Sequence, residues 1–234
     1  RLVGSEMCIR DRINASALDN GLHAGDLKFV DLDGNNKIEQ TTSANDRKDM
    51  KVIGNSLPRY NYNFGISADW YGIDFSVLFQ GIGKQNWYPG AETSMFWGPY
   101  SRPYASFIPS DFMSQVWSEE NTNAYFPRPR GYVALGSNRE LAVVNTKYLQ
   151  NLAYCRLKNL SIGYTLPDKW LSKIGFEKIR VYFSGENLLT FTKLHSDYID
   201  PEQASASNSW KTSKSDANIY PWAKTYSFGV DITF

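Results

Sequence analysis

The sequence predicts an all-β chain: about five C-terminal strands of a large transmembrane β-barrel with long extracellular loops. Three observations predict it. Apolar and polar residues alternate strictly in several segments, the last of these runs to the carboxyl terminus and stops on Phe234, and short connections alternate with long ones. Period-two alternation places every large apolar side chain on one face of a strand. In a membrane barrel that face meets lipid and the other lines the lumen.

The first twelve residues, Arg1 to Arg12 (RLVGSEMCIRDR), resemble a translated sequencing-adapter read-through and are set aside before any fold is read; a real loop is the alternative. On that reading the natural N-terminus lies upstream, and no signal peptide is expected here. Residues 13–58 form an outer-loop region with an Asp/Asn-rich turn, and residues 59–234 carry the barrel strands. The formal charge of +1 offers no electrostatic case for nucleic acid. Tyr and Trp are abundant, with 15 and 7 residues, as the interfaces of a membrane protein require. No run approaches the roughly 18 apolar residues of a membrane helix, but barrels escape that test because only alternate residues face lipid. Cys8 falls in the set-aside segment, which leaves Cys155 alone and excludes a disulfide framework or thiolate metal site. His23 and His195 lack ligand or triad spacing and read as loop residues.

The first strand runs from Arg59 to Trp70, with Tyr60, Tyr62, Phe64, Ile66, Ala68 and Trp70 on one face. Tyr71-Gly72 then makes a tight turn into a second strand, where Ile73, Phe75, Val77 and Phe79 alternate with polar residues and only Leu78 breaks the phase. A third segment, Ala153 to Leu166, holds Leu160, Ile162, Tyr164 and Leu166 in phase and Leu157 out of phase, which predicts a bulge or strand start near Lys158-Asn159. Pro167 to Gly175 predicts a short helical turn, opened by Pro and closed by Gly. The fourth strand covers Lys178 to about Phe191, with Ile179, Val181 and Phe183 outward. The fifth is Thr225 to Phe234, where Tyr226, Phe228, Val230, Ile232 and Phe234 share a face.

Gly83 to Gln150 and Leu194 to Pro221 are long connections that read as structureless, and such lengths argue against a compact soluble domain. A barrel has short periplasmic turns and long extracellular loops. With the C-terminus periplasmic, strand parity places both short turns inside and both long loops outside. Five strands cannot close a barrel, because an open edge in lipid leaves backbone groups unpaired. Further strands are therefore expected upstream.

Several segments resemble the C-terminal third of SusC/RagA-type TonB-linked outer-membrane proteins, in the family's order: GDLKFVDLDGNNKI (25–38), NDRKDMKVIGNSLPRYNYNFG (45–65), FSVLFQGIG (75–83), YCRLKNLSIGYTLP (154–167), IRVYFSGENLLTFTK (179–193) and the terminal YSFGVDITF. The resemblance implies a single-chain barrel with an N-terminal plug, paired with a SusD-type surface lipoprotein. It implies import of oligosaccharides or peptides across the outer membrane of Gram-negative cells, energised through the TonB complex.

Within the first of those segments, Asp31-Leu32-Asp33-Gly34-Asn35-Asn36-Lys37-Ile38 has oxygen side chains at positions one, three and five, as an EF-hand-type calcium loop does. It departs at position six, where Asn36 must take a positive φ, and at position twelve, which is Thr42. In the family the loop commonly continues to an Asp before Arg, and Asp46-Arg47 follows here. The expected calcium ligands are Asp31, Asp33, Asn35, the Lys37 carbonyl and Asp46; no other cofactor is required. An Asx-rich turn bonding its own backbone is the alternative.

The long aromatic loop suggests a glycan pocket, contact with the lipoprotein, or self-packing. Trp87, Tyr88, Trp97 and Tyr100, near the end of the second strand, are the candidates for substrate contact. Arg128 and Arg130 could meet a partner's acids or sugar hydroxyls, with solvation as the alternative. No phosphate loop, nucleophile elbow or zinc-binding His cluster is present, and no carboxylate pair stands out, so no enzyme is predicted. The sequons at Asn14 and Asn159 read as chance. A reading from another class competes, a soluble β-sandwich carbohydrate-binding module, whose alternating faces would need a second sheet; a porin-like channel without TonB coupling shares the barrel and differs only in the plug.

Overall fold

The computed structural model describes residues 6–7, 24–41, 43, 45–101, 107–136, 140–171, 175–207 and 220–234. Five long strands form one antiparallel sheet in chain order: β1 (Arg59–Trp70), β2 (Ile73–Lys84), β3 (Tyr154–Thr165), β4 (Lys178–Thr192) and β5 (Thr225–Thr233). Tyr71 and Gly72 both take positive φ, 47° and 83°. Two such residues make the mirror-image turn whose twist matches that of the flanking strands.

The register stacks the alternation of each strand onto the next. Ala68, Phe75, Ile162, Phe183 and Phe228 line up across all five strands, as do Trp70, Ile73, Tyr164, Val181 and Val230. On the opposite face Ser67, Ser76, Ser161, Ser184 and Ser227 form a row of five serines. The apolar face is uncovered: Phe228 is 82% exposed and Ile66 60%. Water would expel such a face, whereas lipid does not.

The expected bulge is present. Leu78 pairs Asn159 while Phe79 pairs Leu157, so Lys158 is the extra residue. Its consequence is a change of parity. Even-numbered residues of β3 face outward on the turn side of the bulge, and on the loop side Leu157 joins Phe79 and Leu189 instead. Arg156 is thereby delivered to the polar face. In β4, Asn187 (φ 52°) and Leu188 absorb the same shift.

Between β3 and β4, Asp168–Leu171 is helical, and Gly175 (φ 77°) donates its N–H to the Leu171 carbonyl at 3.1 Å to end the turn. Near this end Arg180 grips Asp74 through two hydrogen bonds of 2.8 and 2.6 Å and reaches Asp231 at 3.2 Å. The guanidinium spans from β2 to β5 across β3, and Gly163 makes the room: a Cβ there would lie 2.4 Å from Asp74 Oδ1 and 2.6 Å from Arg180 Nη2. Gly163→Val is therefore expected to displace the bridge and cost about 1–3 kcal/mol, read as a lower melting temperature of the intact detergent-folded protein. An unchanged melt would show that the bridge contributes nothing.

The connection between β2 and β3 departs from the expected structureless loop. It holds the helix Ser94–Trp97, three 3-10 turns (Gly98–Tyr100, Phe112–Gln115, Gly131–Leu135) and a two-residue ladder joining Asn86–Trp87 to Gln150–Asn151. The buried apolar core lies there, around Trp87, Phe96, Trp97, Tyr100, Phe126 and Tyr148, rather than in the sheet. Aromatic density supplies the reason, since rings bury large area and pack edge to face. Within the segment set aside as adapter-derived, Glu6–Met7 pairs antiparallel with Leu27–Lys28.

Candidate functional site at the loop end of the sheet

The candidate residues all sit beyond the end of the sheet opposite the Tyr71–Gly72 turn. In the Asp/Asn loop, Asp31 accepts the N–H groups of Gly34 and Asn36, both at 2.7 Å. Asn36 takes the left-handed conformation expected at position six (φ 60°). Asp33 accepts from the Asn35 backbone at 3.1 Å and side chain at 2.9 Å, and Asn35 Oδ1 accepts from the Lys37 N–H at 2.8 Å. Burial works to raise the Asp31 pKa, but the N–H groups of Asn36 and Gly34 outweigh it and hold the carboxyl below its ordinary value.

The acid that stands with Asp31 and Asp33 is Asp49, not Asp46. One carboxylate oxygen from each of the three lies within 4.8 Å of the others. Asp49 is fully buried and accepts from Leu32 N and Glu39 N, both at 2.7 Å, while Asp46 is exposed. The Asn35 side-chain oxygen is engaged by Lys37. Asp31, Asp33 and Asp49 could together hold a hard divalent cation. Each of their carboxylate oxygens already accepts a hydrogen bond, so an ion would share lone pairs with the backbone.

The four aromatic candidates are correctly placed beside the end of β2 but are packed inward, which replaces the expected substrate contact with self-packing. Trp97 is 0% exposed, edge-on to Phe96 and Tyr148 at 4.8 and 5.2 Å between ring centres, and its Nε1 donates to the Pro89 carbonyl at 3.3 Å. Trp87 and Tyr100 are equally buried, and the Tyr100 hydroxyl donates to the Pro127 carbonyl. Tyr88 is half-buried; its hydroxyl donates to the Leu141 carbonyl at 2.8 Å and accepts from Asn145 at 3.0 Å. Burial drives its pKa well above the ordinary tyrosine value. Arg128 and Arg130 are turned inward as well, onto Asp26 (2.6 Å) and Glu140 (2.8 Å).

His195 packs its ring against Tyr125, 3.7 Å between centres, with Nε2 2.7 Å from Gln115 Oε1. Burial pushes its pKa down, with Asp197 working the other way. The folded value lies below the unfolded one, so the stabilisation is full above about pH 6.5 and is lost as pH falls from there through the folded value. Melting is expected to drop between pH 7.5 and 5.5, and His195→Phe to flatten that slope. Equal slopes in both proteins would remove the assignment.

A cluster the sequence did not disclose crosses the rim. Arg156, 2% exposed, donates to Asp200 (2.6 Å), Glu202 (2.7 Å) and Thr190 Oγ1 (2.9 Å). Lys158, the bulge residue, donates to both Glu202 oxygens and lies 5.4 Å from the Trp222 ring centre. Asp200 also caps the helix Pro201–Ser207 through Glu202 N (2.9 Å) and accepts from Trp222 N (3.2 Å). The β4–β5 loop is thus tied to β3. The one signal in the sequence was the pair of cations beside the out-of-phase Leu157.

Compared with curated proteins, the chain is 32% identical over 212 residues, 88% of its length, to TonB-dependent receptor P3 of Formosa agariphila. Over most of its length the chain is similar to TonB-dependent receptors. A second receptor of the same organism, P26, is 25% identical over 230 residues, 96% of the chain. The chain spans about a fifth of the length of these receptors (19% and 21%). No family model matches it. Among solved structures it is similar to the RagAB peptide transporter, with a TM-score of 0.54 at 21% identity over 90% of the chain and 21% of that chain. The RagAB peptide importer in its open-open state gives 0.51 at 20% identity over 100% and 22%. At that identity the likeness establishes the fold alone, the strand arrangement that this part of the RagAB chain shares.

Proposed function

We propose that this chain forms the C-terminal wall and outer loops of an active outer-membrane transporter. It imports oligosaccharides or peptides with a SusD-type lipoprotein and draws energy through the TonB complex of a Gram-negative cell. The observation that carries the reading is the sheet itself: five meandering strands, one face apolar and uncovered, the other polar, joined alternately by short turns and long loops. A soluble sandwich needs a second sheet over the apolar face, and the described residues supply none. Strand parity puts the Tyr71–Gly72 turn and the C-terminus on one side, and on this reading the short turns face the periplasm. The proposed activity is transport without catalysis.

The test is uptake of labelled oligosaccharide and peptide mixtures by cells that carry or lack the full receptor gene, with and without a protonophore. Receptor-dependent, protonophore-sensitive uptake of either class is the expected result. Uptake indifferent to the protonophore would favour a porin-like channel instead.

Calcium belongs to the same proposal as a structural ion of the outer loop, held by Asp31, Asp33 and Asp49. Saturating calcium is expected to raise the melting temperature of the intact receptor, and to raise that of Asp49→Asn less. No shift in the wild-type protein would remove the ion.

A further inference from the structure

The sheet treats like charges differently at its two ends. Asp69 and Asp74 stand directly opposite each other near the turn, and Arg180 neutralises that pair through Asp74. At the loop end Arg59 stands directly opposite Lys84, on the same polar face. Like charges placed so are destabilising, and among the described residues no carboxylate lies within ion-pair distance of either. Arg47 and Lys51 close the other side, so four exposed cations line a cavity of about 860 Å³ whose lining includes no carboxylate.

The floor of this cleft is rigidly placed. Asn86 N–H donates to the Asn55 carbonyl at 2.8 Å, and Asn55 N–H returns a bond to Asn86 Oδ1 at 3.2 Å. Gln85 Nε2 donates to the Ser56 carbonyl at 2.9 Å, and Gly54 sits so close that a Cβ would come within 2.6 Å of Asn86. Four cations lining one cleft beside hydrogen-bonded amides form an incomplete electrostatic arrangement that an anion would complete.

We propose that this cleft binds the carboxylate or sulfate groups of an anionic oligosaccharide cargo at the mouth of the lumen. The inference rests on the transporter reading and names the cargo class. Three features select that occupant. Two of its four cations, Arg59 and Lys84, stand on the polar face of the sheet, away from lipid. Its concavity and size suit a small oligomer rather than the flat surface of a protein. Its amide and hydroxyl groups suit sugar hydroxyls between the charged substituents.

The experiment is calorimetric titration of the full receptor with four probes: an oligogalacturonate, a sulfated oligosaccharide, uncharged maltotetraose and tetraglutamate. At least one anionic sugar is expected to bind tenfold or more tightly than maltotetraose, with affinity falling as salt rises. Arg59→Gln/Lys84→Gln is expected to lose that tenfold while melting no lower than the wild type without ligand, because a repulsive pair has been removed. The arm that binds distinguishes carboxylate from sulfate. Equal affinity for maltotetraose, failure of both anionic sugars, binding of tetraglutamate alone, or a double variant that binds like the wild type would each overturn the proposal. The cell assay above separates the two claims, since protonophore-sensitive uptake without discrimination by charge removes the cleft and leaves the transporter.

Discussion

Arg156→Met is expected to destabilise the loop end of the sheet by about 3–5 kcal/mol, since it strips the counter-charge from a buried carboxylate. Asp200 is 6% exposed and would keep its bonds to Trp222 N, Glu202 N and Gln203 N while losing the 2.6 Å contact to the guanidinium. Amide exchange of the intact receptor reports this locally, with protection lost first over the Pro201–Ser207 helix and the loop-side half of β4. Adding Asp200→Asn should restore much of the protection, because the orphaned charge is removed with its partner. If Arg156→Met exchanges as slowly as the wild type, the cluster does not hold the loop.

Trp97→Ala is the second large effect, again about 3–5 kcal/mol, the usual cost of emptying a buried aromatic site. The ring touches Phe96, Phe126 and Tyr148, so truncation opens a cavity in the middle of the loop core. Trp97→Phe should cost markedly less. The pair of variants also separates the two roles weighed for this residue. A substrate contact would lose affinity at unchanged stability, whereas a core residue loses loop protection whether or not substrate is present.

The strands were legible because a period of two is written locally, residue by residue. The bulge was legible too, through the single misplaced apolar residue Leu157. Closure of the Asp/Asn loop was not. Asp49 returns to Leu32 across 17 positions, and the nearer Asp46 matched the local motif better. The Arg156–Asp200 bond spans 44 positions and leaves no local trace. The aromatic loop failed for a different reason. Rings that stack on sugar and rings that stack on each other have the same composition, and only burial tells them apart.

The clasp at the root of that loop bears on how the chain assembles. Joining β2 to β3 means closing the longest connection in the sheet, at an entropic cost of roughly 4 kcal/mol for an unstructured chain. Leu152 N–H meets the Gln85 carbonyl at 2.9 Å, and the ladder beyond it is fed by the aromatic core. A loop that condenses first brings Lys84 and Tyr154 together already in step. The two hairpins can then zip from the loop end toward the Tyr71–Gly72 turn, and the one pairing that sequence separation makes slow begins with its register chosen.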